Sequence, residues 1–339
     1  MAFSYAVSRV LDHYPRLNPK RVQSRFAYAS FASLEDRFVY MEVPKAACTA
    51  MKVLLRELYT SPPLKLFPRF RRETDRAMFV HARENAPLPP LTAFADKDQR
   101  ELLEAPDVLR FTIVRNPYTR LVSAWRGKVF LCEPSVPDVY AAVRGTPPAT
   151  GRKQPIGFAE FVAYLEDRTD EVWNAHWRRQ VDLTFPNGLA FTHIGRTEDL
   201  DATIDILGRH LKRHQAIAIP RVNEGFVRPP AQFCEELARR VHALYEEDFA
   251  HFGYDVESWP RDQEDVPSSV SHDRFIDEIM ERNVILAHLY TERDQMRRDY
   301  DAAYRFSLAR VRDSLLRLAG RAKPPAAKRR AGDVSFPVP

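Results

Sequence analysis

Residues 38 to 58, FVYMEVPKAACTAMKVLLREL, pass from strand to helix with no residues to spare, and that junction limits what the chain can become. Phe38, Val39, Tyr40, Met41 and Val43 form an apolar, β-branched and aromatic run of the kind a sheet buries on both faces. Pro44 ends it, and from Met51 the apolar residues Val53, Leu54, Leu55 and Leu58 recur at helical spacing. The connection Pro44 to Thr49 must therefore deliver the chain straight into a helix N-terminus. Such a terminus exposes unpaired N–H groups and the positive end of the helix dipole, a setting for phosphate or sulfate. Lys45 adds a full charge there, and Thr49 a hydroxyl able to cap the helix or donate to an anion. Taken alone, the stretch fits an anion loop or an ordinary strand-to-helix turn with a surface lysine equally well. The glycines of a Walker A loop are missing, which argues against a plain P-loop nucleotidase.

The same pattern returns twice. Val108 to Val114 reads as a second strand, broken at Arg115-Asn116-Pro117 into a helix from Tyr118 to Phe130, with proline tolerated in the first turn. A third strand, Ala190 to Ile194, ends at Gly195-Arg196 and feeds a helix from Leu200 to Leu211. Further helices are expected at Phe158 to Glu166, Thr169 to Trp177 and Phe233 to Phe249, and a short strand at Ala77 to Val80. Alternation of this kind argues for an α/β fold, a central parallel sheet with helices on both faces. Residues 1 to 37, where Tyr14-Pro15 and Asn18-Pro19 look like helix breakers, read as a loosely structured lead-in. From Arg274 to Leu318 proline disappears and a stripe from Ile276 through Met280, Ala287, Tyr290, Tyr304, Leu308 and Val311 to Leu318 predicts a long helix. That helix suits a coiled coil with another copy or packing on its own core. The expected division is a domain over 1–260, a helical or coiled-coil extension over 268–320 and a basic disordered tail over 321–339.

Three scattered cysteines, Cys48, Cys132 and Cys234, offer neither a disulfide framework nor metal-ligand spacing. No apolar run approaches a bilayer's thickness, and Arg9, Asp12 and Arg16 interrupt any signal peptide, so a cytoplasmic protein is expected. The net charge of +5 resides mostly in the tail, at Arg321, Lys323, Lys328, Arg329 and Arg330. A second cluster at Lys65, Arg69, Arg71, Arg72 and Arg76 fits a solvated face better than an acidic-substrate site.

Arg115 falls at the carboxyl end of its strand and Ser123 eight residues on, in the following helix. A bidentate guanidinium with a nearby hydroxyl suits a terminal phosphate, and ligands of parallel sheets bind at that edge. With Lys45, this makes two anion sites on one rim and implies a ligand carrying two separated phosphate-like groups.

At this point the sequence resembles the carbohydrate sulfotransferases of the chondroitin and HNK-1 group. VPKAACTAMK at 43 to 52 looks like their 5′-phosphosulfate loop and VRNPYTRLVSAWRGK at 114 to 128 like their 3′-phosphate motif. Ala175-His176-Trp177, FTHIGRTEDL at 191 to 200, Val222-Asn223 and LYEEDFAHFGY at 244 to 254 are further echoes, so the likeness spans roughly residues 36 to 256. The resemblance implies a P-loop-like three-layer fold and 3′-phosphoadenylyl sulfate (PAPS) as donor, with the bisphosphate PAP as product. It also implies sulfuryl transfer to a sugar hydroxyl, with no metal required. A chain without the Golgi members' amino-terminal membrane anchor and downstream cysteines is expected on this reading.

On that resemblance Lys45, the backbone of Ala46, Ala47, Cys48, Thr49 and Ala50 and the Thr49 hydroxyl hold the 5′-phosphosulfate, and Arg115 and Ser123 the 3′-phosphate. Arg196 and Arg221 either help at the nucleotide or form ordinary ion pairs. A general base must take the acceptor proton; His81 is the first candidate and His176 the competitor, with packing against Trp177 as its other reading. His193 and Glu198 read as structural. The expected partners are a carbohydrate or glycoconjugate acceptor, an acidic membrane surface for the tail and a second copy for the C-terminal helix, with no specific nucleic acid. Two other classes share features of the sequence: a P-loop-like kinase or nucleotidase, and a non-catalytic coiled-coil scaffold with a basic tail.

Overall fold

The computed structural model describes residues 3–59, 80–81, 85–145, 155–168, 173–212 and 231–261, and helical positions between 279 and 316. The chain forms two compact units, Met1–Gly127 with Gly157–Val266, and Lys128–Ile156 with Pro267–Val338.

The first unit is built on a four-stranded sheet in the order β1 (Ser30–Ser33), β2 (Phe38–Met41), β3 (Leu109–Val114), β4 (His193–Arg196). The last three strands are parallel, with Met41 opposite Thr112 and Val114 opposite Arg196, so their carboxyl ends share one rim. The β1 edge strand is antiparallel to β2, which the parallel-sheet expectation did not include. β2 is buried throughout because its side chains alternate between two cores. Val39 and Met41 pack with Val7 and Val10 of α1 (Tyr5–His13), Val22 and Phe26 of α2 (Pro19–Ala29), and Leu102 and Leu103 of the helix Asp96–Glu104. Phe38 and Tyr40 face the other way, onto Met51, Leu54 and Leu55 of α3 (Cys48–Leu58), and with Phe111 and Ile113 onto Ile204 and Leu207 of the helix Leu200–His210. Tyr40 stacks on Phe111 with centroids 4.9 Å apart. The result is the expected three layers.

Several elements depart from the sequence reading. Residues 5 to 29 are two helices, because Asn18-Pro19 starts one: Pro19 takes the first helical position and the Asn18 side chain accepts from Lys20 N at 3.0 Å. β4 begins at His193, three residues late, after two short helices, Gln180–Thr184 and Pro186–Leu189, and a left-handed Ala190. The helix predicted over Tyr118 to Phe130 is α-helical as Pro117–Ala124 and then π-helical over Trp125–Val129. Trp173 to Trp177, placed in a helix, forms a turn, and Val80 lies in a turn where a strand was expected. Residues 77–79 and the tail from 317 lie outside the described residues, as do most of 262–291.

In the second unit, Pro137–Arg144 is a helix and the described residues between 279 and 316 are helical, continuously over 292–302. Leu289, Met296, Tyr300, Val311 and Leu315 are exposed there. A single long coiled-coil helix is not supported over this stretch.

Gly195 marks where the sheet meets its outer helix: a methyl group at this position would lie 2.1 Å from Thr203 Oγ1, and Thr203 is buried. Gly195→Ala is expected to destabilise the protein by about 1–3 kcal/mol through overpacking, measurable by urea denaturation.

Candidate active site

β2 runs into a four-residue turn, Pro44 to Ala47, before α3 begins. Lys45 (φ 68°) and Ala47 (φ 57°) both adopt the left-handed conformation that glycine supplies in Walker-type loops. Ala47 is the N-cap of α3 and provides no side-chain cap, so the helix start is left to other acceptors. Among the N–H groups expected to face an anion, that of Ala46 donates back to Val43 O at 3.2 Å. The Thr49 Oγ1 lies 2.9 Å from His81 Nε2. Burial raises the Cys48 thiol above its ordinary range.

The Lys45 side chain extends to the far end of the second motif, where its Nζ would be 2.6 Å from a methyl group on Gly127. A glycine there leaves room for the ammonium. Arg115 follows β3 on the same rim. Its guanidinium donates from Nη1 to Lys45 O at 3.4 Å and from Nε to Thr119 Oγ1 at 3.0 Å. The Arg115 guanidinium therefore lies against the backbone of the turn after β2, at the same sheet edge. Ser123 is half-buried in the last turn of the helix Pro117–Ala124. Asn116 caps that helix by accepting from Tyr118 N at 3.0 Å, and its own N–H donates to Glu198 Oε1 at 2.9 Å, which gives Glu198 the structural part expected of it.

Other predicted residues stand differently. Arg196 donates to Phe252 O at 2.5 Å and Gly253 O at 3.1 Å and lies over the Tyr254 ring, so it closes the carboxyl end of the helix Glu235–Phe252. Arg221 lies outside the described residues. His176 is buried, its Nδ1 2.7 Å from Asn174 Oδ1, which also accepts His176 N at 3.0 Å. His193 contacts Thr203 Oγ1 at 3.1 Å, well away from the turn in sequence and strand register.

Three groups that the sequence reading passed over hold the site. Arg120, 1% exposed, donates from Nε to Pro44 O at 3.0 Å, from Nη1 to Arg178 O at 2.7 Å and from Nη2 to Ala175 O at 3.0 Å. Gln180 clasps the backbone of Arg115, accepting its N–H at 2.9 Å and donating to its carbonyl at 2.8 Å. Asp248 in turn accepts from Gln180 N at 2.8 Å and Val181 N at 2.9 Å. Burial pushes the Asp248 carboxyl up to about 6 despite those donors and Arg120. A signal for Asp248 existed: it takes an apolar-stripe position, between Tyr245 and Phe252. Arg120 gave none.

Arg120→Met should destabilise the fold by about 3 kcal/mol or more, since three buried carbonyls lose their donor; chemical denaturation measures it. Because the folded Asp248 binds its proton more tightly than the unfolded chain, its stabilising contribution is complete below about pH 4 and lost as the pH rises through about 6. Stability measured across that window should fall with pH, and Asp248→Asn should flatten the dependence.

The sequence was also compared with known proteins. Residues 29–255 match the model of the sulfotransferase family. Carbohydrate sulfotransferase 10 of Xenopus laevis is 26% identical over 248 residues, 66% of each chain. Carbohydrate sulfotransferase 12 of Mus musculus is 27% identical over 252 residues, 65% of this chain and 59% of the relative. Carbohydrate sulfotransferase 11 of Rattus norvegicus is 25% identical over 246 residues, 66% of each. The chain thus spans at most 66% of the length of these relatives. No solved structure matches. These matches correct the expectation of a cytoplasmic protein, because they fall in the group whose Golgi members are membrane-anchored. No helix among the described residues is long and apolar enough to cross a membrane.

Proposed function

The chain belongs to the sulfotransferase family, and from that premise we propose that it transfers the sulfuryl group of PAPS to a hydroxyl of a carbohydrate or glycoconjugate. The observation that carries the reading is the approach of the Arg115 guanidinium to Lys45 O, 3.4 Å, which joins the two anion motifs on one rim. The donor set fits a nucleotide with phosphate at both ends: an uncapped helix start and Lys45 on one side, Arg115 with Ser123 on the other.

PAPS, when bound, supplies the sulfuryl group and a phosphate leaving group. Lys45 and the N-terminus of α3 stabilise the negative charge that grows on the bridging oxygen as its bond to sulfur breaks and the acceptor oxygen bonds in line. Arg115 and Ser123 anchor the 3′-phosphate, fixing the donor so that binding energy is spent on alignment. A histidine accepts the acceptor's hydroxyl proton; His81, beside Thr49, and His176, whose neighbour Ala175 is tied through Arg120 to Pro44, are the two candidates. Cationic side chains supply the electrostatic work, so the reaction as read here uses no metal.

The exposed apolar residues of the helical stretch in the second unit, Leu289, Met296 and Val311 among them, suit pairing with a second copy, and the basic tail suits an acidic membrane surface.

A labelled-sulfate transfer screen with candidate glycans tests the activity. Lys45→Ala and Arg115→Ala should each reduce turnover by a factor of about 100 or more, Arg115→Ala chiefly through a raised KM for PAPS. Full activity in either variant removes that residue from its role.

A further inference from the structure

Two buried charges behind the turn, Glu42 and Lys52, are not used by the mechanism above. Glu42 follows β2 and Lys52 lies in α3; each side chain is 2% exposed, and they form an ion pair at 2.7 Å. Lys52 Nζ lies over the rings of Tyr28 and Phe31, 5.2 and 5.6 Å from their centroids, and 3.0 Å from His81 Nδ1. The other ring nitrogen, Nε2, is 2.9 Å from Thr49 Oγ1.

An ammonium has hydrogens to give and no lone pair to offer. His81 Nδ1 must therefore accept, which in a neutral ring leaves the proton on Nε2. That N–H donates to Thr49 Oγ1, and the threonine's own hydrogen is turned to a different acceptor. Thr49 is the second residue of α3, at the helix start that has no side-chain cap. The polarity runs one way, from the Lys52 cation through the imidazole to the hydroxyl at the mouth of the turn. Glu42 fixes its origin, since a buried lysine without a carboxylate would shed its proton or move to water.

We propose that Glu42, Lys52 and His81 form a positioning relay that commits the Thr49 hydroxyl to donating toward the anion held at the Pro44–Ala47 turn. His81 on this view gives a hydrogen bond to Thr49 and does not remove the acceptor's proton, which leaves that task to His176. The identity of the anion, the 5′-phosphate of the donor, and the assignment of the base to His176 rest on the sulfotransferase reading; the hydrogen-bond polarity does not.

The first test needs no ligand. Nitrogen-15 NMR of the full chain labelled in its histidine rings, with His81 assigned by the loss of its signals in His81→Gln, should find the Nε2–H tautomer; an Nδ1–H tautomer overturns the relay. The second is a double-mutant cycle on affinity for adenosine 3′,5′-bisphosphate, read by calorimetry. Thr49→Val, and the pair Glu42→Gln with Lys52→Met, which removes both buried charges together, should each weaken binding by about tenfold. Combined, they should weaken it no further than Thr49→Val alone, because both act through one hydroxyl; additive losses, about a hundredfold, overturn the proposal. In turnover, His81→Gln should raise the KM for PAPS, and a fall in kcat at unchanged KM would instead make His81 the base. A wild-type chain that binds no bisphosphate defeats the sulfotransferase reading, while the tautomer still decides the relay.

Discussion

A guanidinium sealed from water holds the site in shape. Arg120 sends its fork of donors to Pro44 O at the head of the turn and to Ala175 O and Arg178 O in the segment that carries His176. Burying a cation is unfavourable unless acceptors face its hydrogens, and here three carbonyls from two remote segments each take one, from Nε, Nη1 and Nη2. Lysine could not substitute, having a point charge and no planar fork. The turn after β2 and the segment around residue 176 are thus fixed relative to each other by one side chain from the helix between them in sequence.

A second line of support reaches Arg115 from the opposite end of the chain. Asp248 holds the start of the helix Gln180–Thr184, and Gln180 clasps Arg115 by both backbone groups. The guanidinium is therefore aimed by its main chain as well as by Thr119. Burial lowers Arg115 below its ordinary range, and it stays cationic at any physiological pH. Arg115 disfavours the charge on the buried Arg120, and Asp248 favours it more strongly.

How much of this could be read from residues alone depends on whether the cause is local. β2, β3 and α3 were legible because a continuous apolar run followed by helical spacing admits few other structures, and Phe158–Glu166 was found to the residue. Asn-Pro was understood at 116–117 and misread at 18–19, although both pairs cap a helix in the same way; only the pair at 116–117 follows a strand that made the start obvious. β4 was displaced because FTHI has strand composition while Ala190 turns left-handed just before it. In the site, Lys45 and Arg115 were legible as charges placed after strands. Arg120, Gln180 and the Glu42–Lys52 pair were not, because what makes them important is a set of partners distant in sequence, and a charged residue in a helix looks solvent-facing until its neighbours are known.

The turn between β2 and α3 carries ordinary side chains where glycine would be easier, at Lys45 and Ala47. Holding an L-residue left-handed costs about 1–2 kcal/mol apiece, a debt discharged once, when the protein folds. Glycines would make the unfolded loop more supple and the folded one less certain of its shape. For the nucleotide donor proposed above, a turn whose shape is set when the protein folds leaves little ordering entropy to be lost on binding.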